Sequence, residues 1–313
     1  MHTSARIVSP LAGLCALFVV SALQAAPVLP DFSAAVFLPG EAIDHPYFPL
    51  IDTSTKVYLG QTEEDGEVVI KRSELTTLGP GPVILGVQVT TSRDRAFENG
   101  LLIEDTFDYF AQDTTGNVWY MGEDVTNYVY DDEGNLIDTN SSSSWRAGVN
   151  GALPGFIMPA NLDVGFNYYQ EFAGQDQALD QGTVFGILSE LTIGLMTYHD
   201  VLRVIETTEL DPDVREAKYY APGIGLIFGE EGLDENLSNP SETYALVVAV
   251  PEPSALVLLA VSLAGIATRR ARVVRVASKI LGSRETAASG GAGARLPFTR
   301  SRGCSPGSPS RRM

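Results

Sequence analysis

Apolar and polar residues alternate with a period of two through most of the chain between residues 56 and 231. No window carries the sustained 3.6-residue apolar stripe of an amphipathic helix. In residues 83–91, for example, Val87 and Val89 alternate with Gln88 and Thr90. Because successive side chains of a strand point to opposite faces, such a run has one dry face and one wet face.

Turn signals divide this pattern into successive strands. Asn99 and Gly100 supply the positive φ angles of a tight hairpin, and residues 115–117 and 131–135 form further turns. Neighbouring strands joined by short turns pair antiparallel, and a sheet of this many strands is too long to stay flat. The sequence therefore predicts a mainly β fold, a curved antiparallel meander sheet or open barrel that curls around its aromatic face.

The N-terminal end carries the pattern of a secretory signal peptide. Arg6 precedes an apolar run over residues 11–23, which ends near Ala25 and Ala26. One positive charge, an apolar core of this length and a small-residue exit are typical of such signals. We expect a signal helix that is removed by signal peptidase at Ala25 and Ala26.

The C-terminal part contains a second apolar run, residues 254–268, which has 15 residues and no charge. A helix of this length is about 22 Å long and therefore marginal for spanning a bilayer. Two prolines precede it and arginines follow it, so the arginines would hold its end on the cytoplasmic side. The motif residues are Val250, Pro251, Glu252, Pro253 and Ser254, and the membrane stop consists of Arg269, Arg270 and Arg272.

This order of Pro-Glu-Pro, short membrane helix and arginine cluster resembles the PEP-CTERM sorting signal of Gram-negative bacteria. The resemblance implies that an exosortase recognises the signal after export and processes the anchored precursor, in organisms that usually make exopolysaccharide. The alternative is an ordinary single-pass anchor with a proline-capped helix. Such proteins usually end shortly after the arginines, whereas residues 273–313 continue as a basic tail that we expect to be disordered.

Charge is distributed unevenly along the chain. Residues 27–250 contain 9 Lys and Arg against 37 Asp and Glu, a net charge of −28. Such an acidic segment repels the phosphates of nucleic acid, so we expect no nucleic-acid partner. Both cysteines, Cys15 and Cys304, lie outside it, so the exported domain has no disulfide and must be held by its core.

A second resemblance covers roughly residues 44–231. The segments that carry it are HPYFPL at 45–50, DTFDYFAQD at 105–113, GNVWY at 116–120 and KYYAPGIG at 218–225. They are similar to an uncharacterised β-rich domain of bacterial secreted proteins and lipoproteins, related in shape to periplasmic lipoprotein carriers. This chain has Asp52-Thr53-Ser54 where related chains commonly have Pro-Gly-Thr. The resemblance implies a fold and a location, and no reaction.

The residues offer little catalytic or metal-binding chemistry. His2, His45 and His199 form no pair with metal-ligand spacing, and the exported segment has neither a Gly-x-Ser-x-Gly elbow nor a cysteine. A glycosidase would need two converging carboxylates, which one sequence with so many acids cannot identify. We therefore expect no cofactor.

One turn is a weak calcium candidate, because its oxygen-bearing side chains surround a glycine. Its spacing does not match the calcium loop that a distant bidentate Glu closes, so a solvated hairpin tip is the competing interpretation. Its residues are Asp131, Asp132, Glu133 and Asn135. The aromatic residues, Trp119 and Tyr120 among them, can line a groove for a ligand or simply pack in the core.

These observations predict an order of segments along the chain: signal peptide 1–26, arm 27–50, β-rich exported domain 51–231, acidic linker 232–250, sorting signal with transmembrane helix 251–272 and tail 273–313. Within the linker, residues 244–250 are either a last strand or an extended spacer. The predicted function is that of a non-enzymatic cell-surface or biofilm-matrix protein, membrane-anchored before processing, with signal peptidase, the secretion machinery, an exosortase and exopolysaccharide as partners. One alternative is an extracytoplasmic carrier of an apolar or glycan ligand. Another is a secreted hydrolase.

Overall fold

A computed structural model describes residues 26–64, 66–174 and 178–247. Within these residues the one helical element is a 3-10 turn, Phe32–Ala34. The remaining elements are the strands β1 (Thr55–Glu64), β2 (Glu67–Ile84), β3 (Val87–Glu98), β4 (Leu101–Gln112), β5 (Val118–Tyr130), β6 (Leu136–Asn140), β7 (Trp145–Arg146), β8 (Leu153–Met158), β9 (Asn167–Tyr169), β10 (Glu171–Phe172), β11 (Asp180–Ile193), β12 (Met196–Thr208), β13 (Arg215–Ala221), β14 (Gly225–Glu231) and β15 (Glu242–Val247).

The strands form one antiparallel sheet built from two meanders. Strands β1 to β5 pair in chain order, and so do β11 to β15. Strand β15 then pairs with β1, with Val57 opposite Val247, and this contact joins the two meanders into one sheet. Asn99 and Gly100 turn β3 into β4 with φ angles of 49° and 87°, as the sequence predicts.

The sheet is nearly closed, because its two ends are consecutive pieces of chain. Strand β10 lies at one end beside β8, and β9 lies at the other end beside β11. Only Gln170 separates β9 from β10 along the chain. Val28 forms an isolated β-bridge with Tyr168 of β9, and its amide donates to the Asn167 carbonyl at 2.9 Å.

The predicted arm packs against one end of the barrel. Ile43 is 1% exposed and belongs to the main core. The Tyr47 hydroxyl donates to the Asp200 carbonyl at 3.0 Å, and the Gly223 amide donates to the Pro46 carbonyl at 2.7 Å. These contacts hold the segment at 43–50 across the ends of β12 and β13.

Two hydrophobic clusters hold the domain. The larger includes Trp119, whose ring packs edge-on against Phe156 and whose indole donates to Asp113 at 2.8 Å. The smaller lies on the other face of β12 to β14, where Leu233 covers residues such as Tyr219. The sheet is therefore covered on both faces along β13.

The fold prediction is confirmed: the described chain is mainly β and its antiparallel sheet is curved and nearly closed. Of the two possibilities for residues 244–250, a last strand or an extended spacer, the structure has a strand there: β15 lies between β1 and β14. The signal helix and the transmembrane helix fall outside the described residues. No helix within the described residues is long and apolar enough to cross a membrane.

Candidate functional site

Two adjoining cavities lie inside the curve of the sheet. The first has a volume of about 230 Å³ and the second about 320 Å³. Both are lined by Leu75, Asp94, Lys218 and Leu226, so they share one wall. We call the two together the lumen.

A buried ion pair lies at the centre of the lumen. Lys218 on β13 pairs with Glu206 on β12, which is 8% exposed and also accepts from Gln170 Nε2 at 2.9 Å. Glu216 lies 4.0 Å from the same ammonium group. Burial opposes the charge on Lys218, but Glu206 and Glu216 hold its pKa well above the usual value. Lys218 is therefore a permanently charged part of the lumen wall.

A tyrosine joins two further carboxyl groups. The Tyr120 hydroxyl lies 2.5 Å from Asp108 Oδ1 and 3.0 Å from Glu123 Oε2. Burial raises the pKa of Asp108 to about 7, against the hydrogen bond from Tyr120, which lowers it. Burial and the neighbouring Asp108 also raise the pKa of Glu123. This group of side chains therefore retains protons at a pH where surface carboxyls are ionised.

Three more carboxyl groups line the first cavity without an ion-pair partner among the described residues: Asp94, Glu171 and Asp180. Asp94 accepts a hydrogen bond from Ser73 Oγ at 2.6 Å. Burial raises the pKa of all three groups, most strongly that of Glu171. The lumen thus contains more acidic groups than its cations neutralise.

Tyr168 leaves a polar atom unsatisfied beside the ion pair. The residue is 0% exposed, and its hydroxyl has no hydrogen-bond partner in the described part of the chain. Its ring lies over Gly182, where an added Cβ would lie 2.6 Å from the hydroxyl oxygen. Gly182 pairs with Glu206 across β11 and β12, so the hydroxyl lies on the same face of the sheet as the Glu206 side chain, although Tyr168 does not line either cavity. Burial raises the pKa of Tyr168, and Glu206 contributes to the rise.

Aromatic rings line the part of the first cavity that the arm covers. The Phe110 and Tyr120 rings stack with centroids 4.9 Å apart, and Phe48 from the arm packs edge-on against Phe110. Tyr220, which is 3% exposed, lines the same cavity. It follows Lys218 by two residues along β13, so both side chains point to the same face of the strand. The cavity therefore combines aromatic and aliphatic surface, which includes Leu50, Leu75, Ile157 and Leu226, with carboxyl groups.

The second cavity is lined by paired charges and by Tyr244. Lys71 Nζ lies 2.8 Å from Glu242 and 3.5 Å from Glu98. Tyr244 lies opposite Gly229 and Gly60, and both glycines leave room for its ring. Most of the charge in this cavity is therefore neutralised within the wall, in contrast to the first cavity.

The arrangement of carboxyls can be compared with that of a glycosidase. Because one hydroxyl contacts both groups, the nearest oxygens of Asp108 and Glu123 are separated by at most about 5.5 Å, which is shorter than the separation in inverting glycosidases. In those enzymes the scissile bond lies between the two carboxyls. Here the Tyr120 hydroxyl occupies that position, so the pair is arranged for a hydrogen-bond network.

The structure places the other predicted site residues as follows. The sorting motif, the arginine cluster and Ala25 fall outside the described residues, and Ala26 is exposed. His45 is 6% exposed, and its Nδ1 accepts from the Tyr47 amide at 3.2 Å, while His199 is exposed. Neither histidine therefore joins the other in a metal site within the described chain.

The calcium candidate is a turn between β5 and β6. Asp131 accepts from the Asn135 amide at 2.7 Å and from the Glu133 amide at 3.1 Å. Its carboxylate is therefore engaged by its own turn. Among the described residues no group of three or more His, Cys, Asp or Glu side chains is placed to hold a metal ion. Calcium binding at this turn stays a prediction.

The lumen was not found from the sequence. Glu216, Lys218 and Tyr220 alternate with Ala217 and Tyr219 along β13, so the period-two signal was present. Both faces of β13 are covered, however, and the alternation does not show which face encloses the cavity. The lining contains the expected aromatic residues and, beside them, aliphatic side chains and carboxyl groups.

Comparison with known proteins identifies the C-terminal segment. Residues 249–272 match the PEP-CTERM protein-sorting motif. This motif implies export, a membrane-anchored precursor and sorting that depends on an exosortase and the secretion machinery. The chain is thus an exported protein that carries a PEP-CTERM sorting signal.

Two solved structures are similar to about two thirds of this chain. One is a protein from Bacteroides fragilis described as exported, with a YmcC-like fold; it has 13% identity, a TM-score of 0.32 and coverage of 68% of this chain and 97% of that one. Another is a protein from Parabacteroides distasonis described as a lipoprotein, with 11% identity, a TM-score of 0.30 and coverage of 64% and 97%. No protein with a curated description matches the chain.

Proposed function

We propose that this protein is a non-enzymatic binding protein of the cell surface or extracellular matrix, and that its lumen binds a hydroxyl-rich ligand such as a saccharide. The observation that carries the proposal is the mixed lining of the first cavity. Carboxylates accept hydrogen bonds from hydroxyl groups, and aromatic rings pack against the apolar faces of a sugar ring. Both kinds of group line this one cavity.

The same lining argues against an acyl chain as the ligand. An apolar chain would remove water from Asp94, Asp108 and Glu171 without returning a hydrogen bond, and a buried unsatisfied polar group costs free energy. A saccharide returns several hydrogen bonds to the same groups. Leucines such as Leu50 and Leu75 also line this cavity, so the argument rests on the carboxyl groups that an acyl chain would leave without hydrogen bonds.

The hydrolase alternative is weaker for a geometric reason. Asp108 and Glu123 share the Tyr120 hydroxyl as a hydrogen-bond partner. A glycosidic bond placed between these two carboxyls would have to displace this hydroxyl from both partners. We therefore assign Asp108 and Tyr120 to the wall of a binding site.

The sorting signal indicates where in the cell the protein would bind this ligand. An exosortase substrate is retained at or released from the cell envelope, where it can meet hydroxyl-rich polysaccharides. We propose exopolysaccharide as the source of the saccharide. The acidic exported domain, with a net charge of −28 over residues 27–250, stays soluble in that setting.

The test is saccharide binding by the full chain purified in detergent, measured by calorimetry against a panel of oligosaccharides. Tyr220→Phe keeps the ring and removes the hydroxyl that faces the lumen, so we expect about tenfold weaker binding. Tyr130→Phe is the matched control, because its hydroxyl donates to the Leu102 carbonyl at 2.9 Å outside the cavity. Mass spectrometry of the ligand after incubation should show it unchanged. Cleavage of the ligand, or binding of fatty acids in place of saccharides, would refute the proposal.

A further inference from the structure

We propose that the ligand of the first cavity carries primary amino groups, so that the saccharide it prefers is an amino sugar in its cationic form. This inference rests on the proposed function and specifies the class of saccharide. It is carried by the charge balance of the wall, by an unsatisfied hydroxyl beside the central ion pair and by the spread of the carboxyl groups.

The charge balance favours a cation. Five carboxyl groups line the first cavity, and they are Asp94, Asp108, Glu171, Asp180 and Glu206. Lys218 neutralises Glu206, while Lys56, the other lysine of the wall, donates its ammonium to the Ile224 carbonyl at 2.6 Å. Four carboxyls therefore have no ion-pair partner among the described residues, and a ligand with ammonium groups supplies the missing charge.

The hydroxyl of Tyr168 is an independent indication of a missing partner. It is fully buried, lacks a hydrogen bond within the described residues and lies on the same face of the sheet as the Glu206 side chain. A tyrosine hydroxyl can accept a hydrogen bond from an ammonium or hydroxyl group. The partner that this oxygen lacks is therefore a hydrogen-bond donor close to Glu206, and an amino sugar carries donors of this kind.

The spread of the carboxyls distinguishes an organic cation from a metal ion. The four free carboxyls come from four strands, β3, β4, β10 and β11, and not from one turn. Within the described chain no three acidic or histidine side chains converge as metal ligands do. An amino-sugar oligomer carries its charges several ångströms apart, which suits carboxyls that separate strands contribute to a cavity of about 230 Å³.

The protonation of the wall is consistent with this assignment. Burial raises the pKa of Asp94, Glu171 and Asp180, and that of Asp108 to about 7. Protons therefore supply part of the neutralising charge when no ligand is present. An ammonium group can take over that role because it offers both a positive charge and hydrogen-bond donors.

The experiment compares three probes on the full chain in detergent: glucosamine trimer, its N-acetylated counterpart and spermidine. The two trimers have the same backbone and differ in charge. We expect the glucosamine trimer to bind at least about tenfold more tightly, because charge-assisted hydrogen bonds replace neutral ones. We also expect its affinity to fall as salt is added.

Two variants locate the contact. Glu171→Gln and Asp180→Asn resemble the protonated side chains, so the fold should be retained, and each should weaken glucosamine binding about tenfold while leaving the N-acetylated trimer within about twofold. Glu190→Gln, on the exposed part of β11, is the matched control and should change neither. A melting curve checks the fold of each variant.

The outcomes separate this inference from the proposed function. Equal affinity for the two trimers would refute the amino-group requirement and leave the saccharide proposal standing. Binding of spermidine but of neither trimer would support a cationic ligand and refute the saccharide. Tight binding of Ca²⁺ that Glu171→Gln abolishes would overturn the inference in favour of an inorganic cation.

Discussion

The raised pKa of Asp108 makes a quantitative prediction for Asp108→Asn. Burial raises this pKa from 3.8 to about 7, and the carboxyl accepts from the Tyr120 hydroxyl at 2.5 Å. Because the folded state holds the proton more tightly than the unfolded state, the stability from this group is present below about pH 4 and is lost as the pH rises through about 7. Asparagine accepts the same hydrogen bond and never ionises, so the variant should be more stable at high pH.

The magnitude follows from the size of the shift. A shift of about three pKa units corresponds to an upper limit of about 4 kcal/mol. Asp108 is half-buried and faces a cavity that water can enter, so we expect about half of this, or about 2 kcal/mol, above pH 7. For a domain of this size, 2 kcal/mol corresponds to a rise of about 4–8 °C in Tm.

The assay is thermal unfolding of the full chain in detergent, followed by the fluorescence of the buried Trp119 and Trp145. The gain in Tm should be largest at pH 8 and approach zero near pH 4. Asp132→Asn in the exposed turn after β5 is the control, and we expect it to change stability by less than about 0.5 kcal/mol at either pH. A gain independent of pH, or a loss of stability at pH 8, would refute the reasoning.

Three further perturbations test other parts of the chain. Glu252→Ala should leave export intact but trap the precursor, visible as a larger band in immunoblots of cell fractions; normal processing would count against the motif. Lys218→Met leaves Glu206 buried without its partner and should cost about 3 kcal/mol in urea unfolding, most of which Glu206→Gln should restore in the double variant. Gly182→Ala places a Cβ 2.6 Å from the Tyr168 hydroxyl, so it should lower Tm and weaken saccharide binding together; an unchanged Tm would contradict the close packing.

The local features of this fold could be predicted from the sequence because they depend on neighbouring residues. Asn99 and Gly100 determine a hairpin through their own φ angles, and alternation within one strand reports pairing with the next. The contact between β1 and β15 joins Val57 to Val247 across 190 positions, and no local pattern encodes it. The acidic composition around 232–241 suggested a linker, whereas Leu233 in that segment packs on the outer face of the sheet.

The candidate site was hidden for a different physical reason. In a sheet with one solvated face, polar residues mark the outside. Here Glu206 and Lys218 face inward, while Tyr219 on the opposite face of β13 is covered by the smaller core. The polar residues therefore reveal the alternation along β13, but in this strand they face the inside of the sheet and not the solvent. Only the closure of the sheet shows that these acids surround a common space.

The acidic lumen is costly for a protein that has no disulfide in its exported domain. A barrel of this size can be filled with aliphatic side chains, and replacing a buried ion pair by apolar groups is often neutral or stabilising. This chain instead encloses Lys218 with five carboxyls and leaves Tyr168 unsatisfied, each at some expense in folding free energy. Sequences usually depart from the rules of core packing at functional sites. The loss of folding free energy in the lumen is therefore the strongest physical reason to look for a ligand there. A ligand that neutralises these groups and hydrogen-bonds to them would stabilise the folded protein on binding.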